Sequence, residues 1–272
     1  MGAKIEQLAF IGGGAMGEAI LKGVLASGLA LPGDIIVSDL AKSRRQYLSE
    51  RYGVKTTADN LEAVKQAQTI VLAVKPQVLK KAITGELVEL IRQDALIISI
   101  IGSVELSQLE ELLPHKAVVR VMPNTPLAVG AGMTAIAGGK QATAQMIEET
   151  KSIFASCGEV IEVEESQLEA ITAVSGCGPG YVFVLIDALA DAGVNAGLPR
   201  ELAVRLAAQT FAGAGKMVVE TSLPPAVLRD QVTSPGGTTI AGLHALENRG
   251  VRVAMYDAVQ AVLARSEKLK GK

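Results

Sequence analysis

Through about residue 165 this chain repeats one pattern: a short apolar run, a segment of helical length and period, then another short apolar run. The runs are QLAFIG, IIVSD, TIVLAV, ALIISII, VVRVMP, MTAIAG and EVIEVEE. Such alternation predicts βαβ units and a mostly parallel sheet with helices on its faces. After Ser166 the strand pattern stops. Segments 179–196, 200–220, 225–232, 239–248 and 251–268 read as helices, divided by the breakers GLPR, SLPP, SPGG and NRG. The expected architecture is therefore α/β over residues 1–165 and all-helical over 166–272.

With 272 residues, 49% of them apolar, the chain can bury the cores of two domains. The formal charge is −2, and Lys and Arg are scattered, which gives no footprint for nucleic acid or an anionic membrane. The expected ligand is a small molecule. Cys157, Cys177, His115 and His244 have no metal-type spacing, so neither a zinc site nor a disulfide scaffold is expected, and a reducing cytoplasm fits. The opening MGAKIEQLAFIGGG reads as neither signal nor transit peptide, and no apolar run is expected to reach the length of a membrane span.

The first apolar run leads straight into Gly12-Gly13-Gly14-Ala15-Met16-Gly17, a G-x-G-x-x-G between a strand and a helix, and Asp39 ends the next strand about 20 residues on. In this setting Gly12 permits the tight turn, Gly14 lets a pyrophosphate approach the backbone, and Gly17 lets helix and strand pack closely. A Rossmann-type dinucleotide domain is predicted. Asp39 favours the free ribose of NAD, whereas Ser38, Lys42, Ser43, Arg44 and Arg45 favour the 2′-phosphate of NADP; NADP is the preferred expectation and NAD is kept.

Ala73-Val74-Lys75-Pro76 and Met122-Pro123-Asn124-Thr125-Pro126 close two strands at carboxyl ends, where open α/β sheets bind ligands. Lys75 either touches a phosphate or terminates its strand, and Asn124 either bonds the substrate or braces its own loop. His115 precedes a strand, on the wrong side of the sheet for catalysis, and His244 reads as a hydrogen-bonded helix residue. General-base chemistry is thus scarcely provided for.

The stretch Ser234-Pro235-Gly236-Gly237-Thr238-Thr239 stands just before a helix and holds more than a cap requires. Its glycines let an anion approach, and the N–H groups of Gly237, Thr238 and Thr239 are expected to face outward at the positive end of that helix. A carboxylate fits such a cradle, with the Thr239 hydroxyl near another atom of the same small acid.

Taken in order, IGGGAMGEAI, LAVKP, RVMPNTP, SGCGPGY and LRDQVTSPGGTTIAGLHALE resemble the Δ1-pyrroline-5-carboxylate reductase family along the whole chain. The resemblance implies hydride transfer from NAD(P)H to a cyclic imine, the last step of proline synthesis. It also implies a helical domain that interlocks with a second subunit, and dimers that in many members assemble into decamers. It places the substrate carboxylate at Ser234, Gly236, Gly237, Thr238 and Thr239 with the Val232 backbone nearby, and sets Thr239 against the ring nitrogen. The cofactor is implied at Gly12 to Gly17, Asn60 and Ala73 to Pro76, with Asn124 beside the nicotinamide. Gly180 and Cys177 depart from the family pattern, which usually has alanine and often serine there.

Two other readings compete. β-Hydroxyacid dehydrogenases share the domain order but need a lysine on the first long helix of the second domain, and Ser175 to Pro199 contain no Lys, Arg or His. A non-catalytic dinucleotide sensor would leave SPGGTT as a mere cap. Apolar residues around much of 179–196 and 200–220, with many alanines and glycines, predict that the helical domain dimerises and that the site is complete only in the dimer.

Overall fold

The computed structural model describes residues 4–270. These divide into two compact units, one running to Gly176 and joined by the end of the last helix from Ser266, the other Cys177–Arg265. The first is built on an eight-stranded sheet of order β3-β2-β1-β4-β5-β6-β7-β8. Its strands are β1 (Leu8–Ile11), β2 (Ile35–Ser38), β3 (Lys55–Thr57), β4 (Thr69–Leu72), β5 (Leu96–Ser99), β6 (Ala117–Met122), β7 (Gly132–Gly138) and β8 (Gly158–Glu162). The helices of this unit are α1 (Ala15–Ala26), α2 (Lys42–Tyr52), α3 (Asn60–Val64), α4 (Leu79–Ala82), α5 (Gly85–Leu90), α6 (Leu106–Leu112), α7 (Ala144–Ala155) and α8 (Leu168–Ile171).

β1 through β6 run parallel, and the near-continuous burial of all of them but β3 matches the uniformly apolar runs, as expected of strands covered on both faces. Two hydrophobic clusters flank the sheet. One joins Phe10, Ile20, Leu48 and Phe154, and the other Ile11, Ile70, Leu87 and Leu109. The first run and the third are neighbours through β1 and β4, so order reverses beside β1 and opens a crevice at the carboxyl ends.

Three features differ from the sequence reading. β3 is an added edge strand of three residues whose Lys55 is exposed, too short and too polar to register as an apolar run. β7 lies antiparallel to β6, and β8 parallel to β7. The third is that one helical stretch, Glu165–Asn195, is long and apolar enough to cross a membrane by length and composition. The glycines and Pro179 within SGCGPGY break its apolar residues into shorter runs, which hid that length.

Secondary structure changes class after β8, yet the compact unit extends to Gly176, and Leu168 is fully buried in the sheet-based core. Between α8 and the next helix, Thr172–Gly176 form a π-turn. The second unit contains α9 (Gly178–Asn195), α10 (Arg200–Thr221), α11 (Pro225–Gln231), α12 (Thr238–Asn248) and most of α13 (Val251–Lys270). α9 and α10 pack on each other through Ala190, Ala203 and Ala207, the small residues that let helices approach. These three are the buried residues of that cluster, while Phe183, Val184, Val219 and Tyr256 are largely exposed.

Candidate active site

Gly12 follows β1 with φ +102°, a conformation that L side chains rarely adopt, and a Cβ there would lie 2.7 Å from the Ala73 carbonyl oxygen. At Gly17 a Cβ would lie 2.8 Å from the Gly12 carbonyl oxygen, so this glycine brings α1 against the loop. A Cβ at Gly14 would meet nothing within 4 Å. Gly14 is also the N-cap of α1, and no side chain caps that helix, whose first N–H groups find no acceptor within the helix itself. Open space, uncapped donors and the positive end of a twelve-residue helix coincide there, which fits a dinucleotide pyrophosphate. Ala15 and Met16 continue this turn, and Ala73-Val74-Lys75-Pro76 line the adjacent strand end, with Lys75 and Pro76 exposed.

The residues at the end of β2 are not all disposed as the sequence suggested. Ser38 is 1% exposed and its hydroxyl donates to the Asn60 side-chain oxygen, so Ser38 stands off the surface a 2′-phosphate would reach. Asn60 in turn donates to the Ala82 carbonyl at 3.4 Å. The Asp39 carboxylate accepts from the Gly13 N–H at 3.0 Å and the Ala41 N–H at 2.9 Å. Arg45 donates to the carbonyls of Asp39 and Leu40, at 2.8 and 2.9 Å. Arg44 turns inward. Its guanidinium donates to the Gly13 and Gly14 carbonyls and to Glu18. Lys42 and Ser43 are left exposed at the start of α2.

Asn124, at the end of β6, is 9% exposed. Its oxygen accepts from the Met133 N–H at 2.9 Å, and its amide donates to the Ser175 carbonyl at 3.2 Å and hydroxyl at 3.3 Å. Of the two roles left open for Asn124, bracing is the one its bonds display: it ties β6, β7 and the π-turn together. Sequence reasoning missed Ser175 as a partner, as it missed Glu18, Tyr47 and Tyr52 around Arg44.

In the helical unit, α11 ends at Gln231 and Val232 begins the turn to α12. Gly236 has φ +67°, so the turn demands a glycine there, while a Cβ on Gly237 would meet the rotatable Ser234 hydroxyl. The Gly237 N–H donates to the Ser234 carbonyl at 3.0 Å. That corrects one expectation: the tight turn consumes this donor, and the outward N–H groups begin with Thr238 and Thr239, both exposed in the first turn of α12, which no side chain caps. His244 pairs with the Asn248 amide at 2.9 Å, the helix-surface role expected of it. A groove beside α12 is lined by Gly236, Gly237 and His244 but not by Thr238 or Thr239. No group of three or more metal-ligating side chains occurs among the described residues.

Residues 165–269 match the family described as pyrroline-5-carboxylate reductase dimerisation, and residues 7–102 match the coenzyme F420-dependent NADP oxidoreductase family. A pyrroline-5-carboxylate reductase of Synechocystis is 46% identical over 263 residues, covering 97% of this chain and 98% of the relative. The chain belongs to the pyrroline-5-carboxylate reductase family. The family's Arabidopsis thaliana member is 41% identical over 267 residues, covering 98% of this chain and 96% of its own. Among solved structures, the family's Coxiella burnetii reductase has a TM-score of 0.91 at 36% identity, covering 98% of this chain and 99% of that one. The Plasmodium falciparum enzyme, solved with NADP bound, has a TM-score of 0.88 at 32% identity, covering 99% and 100%. The fold is accordingly an N-terminal Rossmann domain that binds a nicotinamide dinucleotide, followed by a helical dimerisation domain.

Proposed function

We propose that this chain reduces 1-pyrroline-5-carboxylate to L-proline, with residues 1–165 holding NADPH and residues 166–272 holding the substrate and the second subunit. The observation that carries this reading is that a chain of this family has both an uncapped, open Gly14 turn and, separately, the uncapped Ser234–Thr239 turn. When bound, the reduced nicotinamide supplies a hydride.

The protein's own part is modest. A protonated cyclic imine is already electrophilic at carbon, so the residues need chiefly to orient it and exclude water. The N–H groups of Thr238 and Thr239, at the positive end of α12, hold the substrate carboxylate with the Ser234 hydroxyl beside them. The Thr239 hydroxyl bonds the ring nitrogen as it changes from iminium to amine. No titratable side chain lies between Ser234 and Ile240, in keeping with a reaction that needs no strong base.

NADPH is preferred over NADH in this reading. The Asp39 carboxylate is turned onto two backbone N–H groups, which supports a structural use for it, and the exposed Lys42 and Ser43 remain to meet a 2′-phosphate. The chain works as a dimer, the helices of a second subunit covering the apolar surface that α9, α10 and α13 leave exposed. The same need for cover accounts for the apolar stretch through α9 without a membrane. The dimer is the active unit, dimers assemble into a decamer, and the free thiols Cys157 and Cys177 suit the cytoplasm. The deciding experiment follows NADPH and NADH oxidation with pyrroline-5-carboxylate, alongside light scattering. Absence of substrate-dependent oxidation would refute the activity, and a fully active monomer at nanomolar concentration would refute the assembly.

A further inference from the structure

Arg44 was expected to face a ligand, and it faces the glycine loop instead. Its Nε donates to the Gly13 carbonyl, and one terminal nitrogen reaches the Gly14 carbonyl at 3.4 Å. That terminal nitrogen also pairs with Glu18, and the guanidinium lies 5.1 Å from the centre of the Tyr47 ring. Glu18 is fixed in turn, accepting from the hydroxyls of Tyr47 at 3.0 Å and Tyr52 at 2.7 Å. Burial pushes the Glu18 carboxyl up, but the bonds from Arg44, Tyr52 and Tyr47 outweigh it and hold the group below the ordinary carboxylate value.

In a trans peptide the C=O of one residue and the N–H of the next point in opposite directions. A Gly13 carbonyl held by Arg44 therefore aims the Gly14 N–H away from Arg44. Gly14 is also where the loop has no side chain and no neighbour within 4 Å of a Cβ position. The Gly12 N–H is held by the Ser38 carbonyl at 2.8 Å and the Gly13 N–H by the Asp39 carboxylate at 3.0 Å, which leaves the Gly13–Gly14 peptide plane for Arg44 to fix. We propose that Arg44, anchored by Glu18 and Tyr47, is a positioning residue that braces the glycine loop from behind and aims the Gly14 N–H at the dinucleotide pyrophosphate, rather than a ligand of the 2′-phosphate. The proposal rests on the dinucleotide reading above.

The two roles separate by cofactor. A 2′-phosphate ligand discriminates NADPH from NADH, whereas a brace serves the pyrophosphate that both share. The dissociation constants of NADPH and NADH are measured by fluorescence titration, without substrate, on wild type, Arg44→Lys and Glu18→Gln. Lysine keeps the charge but loses the planar fork that spans two carbonyls and a carboxylate. Each variant is expected to weaken both cofactors by the same factor, about tenfold for Arg44→Lys and less for Glu18→Gln, through loss of charge-assisted hydrogen bonds. At saturating cofactor, kcat and the KM for pyrroline-5-carboxylate should stay at wild-type values, which a general loosening of the fold would not allow. Loss confined to NADPH in Arg44→Lys, or undiminished binding of both cofactors in that variant, overturns the brace. A wild-type chain that binds neither cofactor overturns the dinucleotide reading itself, and the brace with it.

Discussion

Replacing Gly12 and Gly14 separately by alanine should divide folding from cofactor binding. At Gly12 the new methyl would stand 2.7 Å from the Ala73 carbonyl oxygen and 2.9 Å from its carbon, both backbone atoms of the strand end next door. Ala73 cannot recede freely, because its N–H donates to the Ile11 carbonyl at 2.9 Å and β1 pairs with β4 over four residues. The backbone cannot relax instead, since φ +102° itself costs about 1–3 kcal/mol for a residue with a side chain. Overpacking adds about 1–3 kcal/mol, giving roughly 2–6 kcal/mol against a total stability of about 5–15. The melting temperature should fall by roughly 10 °C.

At Gly14 the backbone angles are ordinary, φ −66° and ψ −178°, and the methyl meets no atom within 4 Å. Stability should therefore change by less than about 1 kcal/mol. The methyl nonetheless fills the opening over the uncapped turn, and affinity for NADPH should drop at least about 100-fold, roughly 2.7 kcal/mol. Circular dichroism melts and NADPH fluorescence titration read the two effects on the same samples. If Gly14→Ala binds NADPH as wild type does, the pyrophosphate does not sit on this turn. A Gly12→Ala variant that melts at the wild-type temperature would remove the steric argument for the loop.

Thr239→Ala should lower kcat/KM about tenfold to a hundredfold, the worth of one hydrogen bond to a charged or polar group, and leave NADPH affinity untouched; steady-state kinetics showing wild-type efficiency would end its proposed role. Gly180→Ala should stabilise the chain by about 0.5–1 kcal/mol, because a Cβ at this position in α9 meets nothing within 4 Å, and a thermal melt that falls rather than rises would show a neighbour there. The depressed Glu18 carboxyl contributes stability that is present above its ordinary titration range and lost as the pH falls through its folded value. The melting difference between wild type and Glu18→Gln should therefore shrink on acidification below about pH 5, and a constant difference from neutral pH downward would contradict the ion pair with Arg44.

How much of this was legible in the sequence can be judged residue by residue. Periodicity suffices to find buried parallel strands and the helices α9 to α13, because a strand covered on both faces must be apolar throughout and a helix end must carry a breaker. The packing roles of Gly12 and Gly17 followed from their spacing between a strand and a helix, since each answers a different local steric demand. The reversal of β7 carried a signal that went unused: the connection Pro123–Ala131 is shorter than the dozen or so residues a parallel crossover requires. β3 had almost none, being a short polar edge held by its pairing with β2.

What only the tertiary structure decided is where polar groups point. Arg44 lies in the sequence among cations that suit a 2′-phosphate, and what turns it inward is Glu18 on another helix with two tyrosine hydroxyls behind it. Ser38 is withdrawn by Asn60, Asn124 is engaged by Met133 and Ser175, and the Gly237 N–H is taken up by the turn at Ser234. A sequence pattern reports which face of an element is apolar, because burial is nearly non-directional and averages over many residues. A hydrogen bond depends on the angle and distance to one partner, and the chain brings that partner from far away only when it has folded.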